Sequence, residues 1–262
     1  MSIRDLPIVG LIPAAGKATR LPELRHSKEL LPVQSTISIG GICYTTRVAV
    51  DYLLNSVRLA GVDLAIIVVS IEKPDIPAYL SERETDAISL EYVVVDTSPS
   101  VPHTLVFASR NLQNRNVIFG FPDILFKPLD ALDTLLSEWR KAQPDVLLGL
   151  FPTNRPEKFD MVEVGPHNHV KKITVKPKAS DTRYTWILAV WSQRFVKHLE
   201  MVVSRWEAAE TGPPELQLGE VIQSAIDCGM DVQALKFPSG RILDIGTPED
   251  SARIPQFIGQ PC

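Results

Sequence analysis

Short apolar runs alternate with helical patterns along the first half of the chain. The runs Ile8–Ile12, Leu64–Val69, Tyr92–Val95, Val117–Phe121 and Val146–Leu150 are continuous rather than alternating. That is the pattern of strands buried on both faces. Between them, Val50, Leu53, Leu54 and Val57 recur at i, i+3, i+4, i+7, as do Leu132, Leu135, Leu136 and Trp139. Both spacings predict amphipathic helices. Strand and helix in alternation imply an α/β fold with a doubly wound, mostly parallel, Rossmann-like sheet covered on both sides.

After about residue 150 the texture changes. Met161–Val164, Val170–Val175 and Tyr184–Val190 read as strands joined without long helices, which predicts a smaller mixed-sheet substrate subdomain. Helical spacing returns at Leu199, Val202, Val203, Trp206 and at Leu218, Val221, Ile222, Ala225, the second helix closing at Gly229. A strand near Val232–Phe237 and a last helix from Pro248 follow. Thr247-Pro248-Glu249-Asp250 supplies a capping threonine, proline at the first helical position and acids in the first turn. The whole of 1–262 reads as one domain. About 1–150, about 151–240 and 241–262 read as its successive parts.

Composition narrows the partners. A formal net charge of −4 on 262 residues argues against general affinity for nucleic acid or an anionic membrane. Cys43, Cys228 and Cys262 lie far apart with no CxxC pair, so reduced thiols in a cytoplasmic setting fit better than a disulfide framework or a zinc site. His167 and His169 lack a companion thiol or carboxylate cluster and read as a solvated turn. The apolar start is short and broken by Pro7, Gly10 and Pro13, which favours a buried first strand over a signal peptide. No apolar run approaches the ~18 residues of a membrane span. Homo-oligomerisation is left open.

Chemistry first appears after the first strand, in Ala14-Ala15-Gly16-Lys17-Ala18-Thr19-Arg20-Leu21. Small residues let backbone N–H groups approach an anion, and Lys17 and Arg20 add positive charge. Ligands of open α/β sheets collect at the carboxyl ends of strands, where this loop sits. It is not a P-loop, because Lys17 is followed by alanine, and no GxGxxG is present.

Ser27-Lys28-Glu29-Leu30-Leu31-Pro32 follows closely. The combined stretch resembles the signature of the sugar-1-phosphate nucleotidylyltransferases, approximately L-A-G-G-x-G-T-R-L and then P/S-K-x-L-L-P. The likeness is nearest to the glucose-1-phosphate thymidylyltransferase branch. Gly120-Phe121-Pro122-Asp123-Ile124-Leu125-Phe126 is similar to that family's G-D-N-I-F. Ile242-Leu243-Asp244-Ile245-Gly246-Thr247-Pro248-Glu249 is similar to its W-L-D-T-G-T-P-E, and Val175-Lys176-Pro177 to its E-K-P.

The resemblance implies a Mg²⁺-dependent nucleotidyl transfer from a nucleoside triphosphate, dTTP or UTP favoured, to a sugar-1-phosphate or related phosphorylated small molecule. Arg20, Lys28 and Asp123 would be catalytic. Ala14, Ala15, Gly16, Lys17, Ala18, Thr19, Arg20 and Lys28 would meet the nucleotide, together with His103 and Thr104 in the stretch that faces the base. Asp123 and Asp244 would lie close enough to share one Mg²⁺. Lys176, Asp160 and Glu215 would meet the acceptor, which would make about 1–150 the nucleotide-binding half, about 151–240 the acceptor-binding part and 241–262 the second metal motif and C-terminal helix. As a loop lysine, Lys28 is expected to matter more for turnover than for stability.

The departures fall on recognition. Ala18 replaces a loop glycine, and Val95 to Thr104 holds neither the family's glutamine nor its Pro-x-Gly turn. Phe159-Asp160 stands for a Tyr-Gly that touches the sugar, Val175 for a glutamate and Gln217 for another acid. Exchanging groups that read a hydroxyl can change substrate preference by orders of magnitude. Two other readings therefore stay open: a cytidylyltransferase for a non-sugar phosphate, and a catalytically weak homologue kept as a nucleotide-binding or regulatory protein. Retention of Arg20, Lys28, Asp123 and Asp244 together argues against the second.

Overall fold

The computed structural model describes residues 6–16, 26–82, 88–96, 98–209 and 215–259. A nine-stranded mixed sheet runs through the molecule. In its nucleotide half, β1 (Ile8–Ala14) lies parallel between β4 (Leu64–Ser70) and β6 (Asn116–Gly120), and β5 (Ser89–Val95) adds to β4. In its other half, β11 (Tyr184–Trp191) runs antiparallel to β6, to β8 (Val146–Pro152) and to β9 (Met161–Val164). Here β10 (Val170–Thr174) pairs antiparallel with β9, and β12 (Val232–Lys236) parallel with β8. The parallel half and the mixed extension are as the apolar runs predict.

Helices cover both faces. On one side α1 (Ala49–Leu59) and α4 (Ala131–Ala142) bury Val50, Leu53, Leu54, Val57, Leu132, Leu135, Leu136 and Trp139. On the other, α3 (Val101–Phe107), α5 (Gln193–Glu207) and α6 (Leu218–Asp227) bury Leu105, Phe195, Leu199, Val203, Val221, Ile222 and Ala225. Fully burying each large apolar side chain contributes about 1.5–3 kcal/mol, so two such layers fix the sheet firmly. Gly229, at φ +72, closes α6.

Two small ribbons stand apart from the main sheet. A hairpin joins β2 (Pro32–Ile39) to β3 (Ile42–Val48) through Gly40 and Gly41, both at positive φ. The second ribbon pairs β7 (Ile124–Lys127) with β13 (Arg241–Asp244). It is tied to α1, where Tyr52 Oη donates to the Phe126 carbonyl and Ser56 Oγ to that of Leu129 at 2.6 Å. A further short helix, α2 (Asp75–Ser81), follows β4. The predicted last helix is two short ones, α7 (Pro248–Ser251) and α8 (Ile254–Ile258). Pro255 lacks the N–H that a continuous helix would need there. Thr247 Oγ1 does cap α7, accepting from the Asp250 N–H at 3.2 Å. Among the described residues no helix is long and apolar enough to cross a membrane.

Candidate active site

The carboxyl ends of β1, β4 and β6 lie at one level, because Ala14 pairs with Val69 and Leu11 with Phe119. The chain leaving β6 enters the turn that holds Asp123 and then β7. Gly120 permits close packing here: a Cβ would stand 2.6 Å from Leu53 Cδ1 and force that buried side chain to shift. In the ribbon, Asp244 pairs with Ile124, and the Ile245 N–H donates to the Asp123 carbonyl at 3.0 Å. The two predicted acids, far apart in sequence, therefore sit on neighbouring strand ends. Asp244 Oδ1 accepts the Gly246 N–H at 2.8 Å, which shapes the turn into α7.

Lys28 reaches this acidic pair from a 3-10 turn, Lys28–Leu30, placing Nζ 2.5 Å from Asp123 Oδ2. Its side chain is only 16% exposed, so it is not the solvated loop lysine that the sequence suggests. Burial disfavours its charge, but the carboxylates of Asp123, Glu29 and Asp244 outweigh burial and raise its pKa. Burial pushes Asp123 the other way, and Lys28, with a smaller share from Lys73, holds its carboxyl below the usual range. At neutral pH both groups are therefore charged.

Lys28, Asp123 and Asp244 line a cavity of about 640 Å³ together with Glu157, Lys158, Asp160, Lys176, Trp186, Glu215 and Gln217. All three predicted acceptor residues thus share the cavity with the predicted metal acids. Lys176 adopts φ +38, uncommon for a side chain other than glycine or asparagine, and its Nζ donates to Gln217 Oε1 at 2.9 Å. Burial pushes the Asp160 carboxyl up to about 6, against the opposing pull of Lys176 and the neighbouring Trp186 indole. Neither Asp160 Oδ1 nor Trp186 Nε1 completes a hydrogen bond with a described residue.

Ala14 and Ala15 are buried at the end of β1 and Gly16 is exposed beyond them. Lys17, Ala18, Thr19 and Arg20 lie outside the described residues. His103 and Thr104 are placed differently from a simple base-facing loop. They belong to α3 and are 5% and 3% exposed. His103 Nδ1 shares a hydrogen with Ser100 Oγ at 2.7 Å and its ring packs edge-on against Trp206, while Thr104 Oγ1 donates to Ser98 Oγ at 2.7 Å. Both side chains are buried, and His103 Nε2 completes no hydrogen bond with a described residue.

Sequence reasoning missed a buried ion pair. Lys73 Nζ donates to Glu29 Oε1 at 2.9 Å and Oε2 at 3.0 Å, and to the Ala14 carbonyl at 3.1 Å. The one available signal was position, since Lys73 follows β4 at the same carboxyl edge. Also missed was Asp250, whose carboxylate takes Arg155 at 2.6 Å and Lys158 at 2.5 Å.

The family model for nucleotidyl transferases matches residues 9–260. The chain belongs to that family. The match takes in every segment that builds this cavity. Solved structures agree in fold. A protein from Bacillus anthracis assigned as a glucose-1-phosphate thymidylyltransferase, in complex with sucrose, superposes with a TM-score of 0.78 at 17% identity, covering 96% of this chain and 95% of that one. A UDP-glucose pyrophosphorylase with bound UDP-glucose gives 0.78 at 17%, covering 95% and 97%. A UTP-bound enzyme of the same name from Acinetobacter baumannii gives 0.74 at 16%, covering 97% and 94%. No curated protein matches the sequence at a significant level.

Proposed function

We propose that this nucleotidyl transferase moves a nucleoside monophosphate from UTP or dTTP to a sugar-1-phosphate and releases pyrophosphate. The observation that supports the reading is the cavity itself, which Lys28, Asp123, Asp244 and Lys176 line together. UTP and glucose-1-phosphate are named in the descriptions of solved structures with the same fold, and the thymidylyltransferase among them favours dTTP as the second nucleotide.

In this reading an acceptor phosphate oxygen attacks the α-phosphorus, a new P–O bond forms, and the bond to the β-phosphate oxygen breaks with its electron pair leaving on pyrophosphate. No proton need move, so the protein's task is alignment and neutralisation of charge. Lys28, held charged by its acidic neighbours, exchanges Asp123 for the α-phosphate. Lys176 meets the acceptor phosphate, and Arg20 the departing one.

Asp123 and Asp244 offer hard oxygen donors on adjacent strand ends, and the surplus of negative charge there is felt by Lys28. That donor set fits Mg²⁺, which takes one or two carboxylates and completes its shell with phosphate oxygens and water. When bound, the ion would supply Lewis-acid neutralisation of the triphosphate.

The test is a matrix of ATP, CTP, GTP, UTP and dTTP against sugar-1-phosphates and other phosphomonoesters with Mg²⁺, reading pyrophosphate release. Release that requires UTP or dTTP and one sugar-1-phosphate bears the reading out. Release with CTP and a non-sugar phosphate moves the assignment to that class, and silence with nucleotide still bound moves it to a binding protein.

A further inference from the structure

We propose that the turn after β4, residues 71–75, is a clamp that fixes Lys28 relative to the end of β1, with Lys73 and Asp75 as its positioning residues. The inference rests on the transfer reading of Lys28.

Lys28 is bracketed by two bonded neighbours. On one side the Asp75 carboxylate accepts from the Ser27 N–H and from Ser27 Oγ, both at 2.7 Å. On the other, Lys73 Nζ holds Glu29 through both carboxylate oxygens and gives its third hydrogen to the Ala14 carbonyl. All three ammonium hydrogens are then used. One five-residue turn thereby grips both segments assigned to phosphate contact. The turn is itself pinned to the sheet: the Ile71 N–H donates to the Val95 carbonyl at 2.8 Å and Ser70 Oγ to that of Asp96 at 3.1 Å. Asp96 begins the stretch leading to α3, so that stretch is tied to the same anchor.

The choice of residue type supports a positioning role. Lys73 is 8% exposed, although Ile71, Glu72 and Pro74 around it are exposed, and Glu29 is 1% exposed. A well-packed apolar pair would hold such a turn with equal or greater stability. Directional bonds accomplish what apolar packing does not: they set where the backbone on each side of Lys28 lies, and with it where Nζ can reach. A lysine misplaced by about 1 Å can cost on the order of 10²-fold in rate.

The experiment compares wild type with Asp75→Ala, Asp75→Asn, Lys73→Met and the double variant Glu29→Gln/Lys73→Met. Hydrogen exchange at the Ser27, Leu30 and Leu31 amides is followed in the nucleotide-free protein, alongside kcat and nucleotide KM. Asp75→Ala is expected to speed that exchange and raise nucleotide KM by about tenfold, with Asp75→Asn, which keeps one acceptor, in between. The double variant is expected to recover the thermal stability lost in Lys73→Met but not its kcat. Unchanged exchange in Asp75→Ala, or wild-type kcat in the double variant, overturns the clamp. A wild type that neither binds nor turns over any nucleotide overturns the transfer reading instead, and the exchange rates still judge the clamp.

Discussion

Lys28 Nζ and Asp123 Oδ2 stand 2.5 Å apart, with the two side chains only 16% and 17% exposed. In the proposed reading the pair couples fold to chemistry. Removing the lysine leaves a largely buried carboxylate without its main partner, so Lys28→Ala should lower stability by about 1–3 kcal/mol. Turnover should fall further, by about 10²–10³-fold, because the positive charge that the proposed function puts at the α-phosphate is lost. Urea denaturation and steady-state kinetics on the same preparation separate the two. A stability loss with unchanged turnover makes Lys28 a structural residue.

Asp123→Asn and Asp244→Asn keep the shape of each side chain and remove one charge. In Asp244→Asn the amide oxygen can still accept the Gly246 N–H that Asp244 Oδ1 now takes at 2.8 Å, so the fold should persist. Loss of several kcal/mol of charge stabilisation corresponds to at least about 10²-fold in turnover. Mn²⁺ titration by electron paramagnetic resonance should show weakened binding in both variants. Undiminished Mn²⁺ binding in both would remove these acids from the metal assignment.

Asp160 titrates in a readily measured range. Burial raises its pKa to about 6 in the folded chain, against about 3.9 when unfolded. The native state therefore binds more protons between these values, and its stability falls as pH rises from about 4 to about 6. Asp160→Asn should remove that fall and be more stable than the parent at pH 7 by about 1–2 kcal/mol, with the gap closing near pH 4. Denaturant midpoints across that range decide it, and parallel pH profiles for the two proteins would count against a raised pKa.

Asp250 has the opposite sign. It is 3% exposed, and although burial opposes ionisation, hydrogen bonds from Lys158, Arg155 and Thr247 hold its pKa well below the usual range. Its contribution is complete above the unfolded value near 3.9 and is lost as pH falls through the depressed folded value. Asp250→Asn should cost about 2–4 kcal/mol at pH 7 and lose acid sensitivity below pH 4. A variant as stable as its parent at pH 7 would reduce this cluster to surface pairing.

Much of the scaffold was legible because buried strands and amphipathic helices write themselves into apolar spacing. The hairpin of β2 and β3 was not, since its inward positions include Ser35 and Thr46 rather than an apolar run. Gly40-Gly41 was its readable sign, a pair suited to the positive φ of a tight hairpin turn. The helix α3 escaped notice because it is seven residues long, and with it the inward orientation of His103 and Thr104. Lys28, Asp123 and Asp244 were legible through motif resemblance, while their meeting depended on the β7–β13 register. The partnership of Glu29 with Lys73 was not legible, because only the fold sets which lysine reaches a given buried glutamate.

The ribbon of β7 and β13 has a consequence for how the molecule becomes competent. Asp123 belongs to the middle of the chain and Asp244 to its last tenth, so the two carboxylates become neighbours only when β13 pairs with β7. Synthesis runs from the N-terminus, so a nascent chain carries Asp123 well before Asp244. In the proposed reading, a metal site that needs both acids therefore waits on that late pairing.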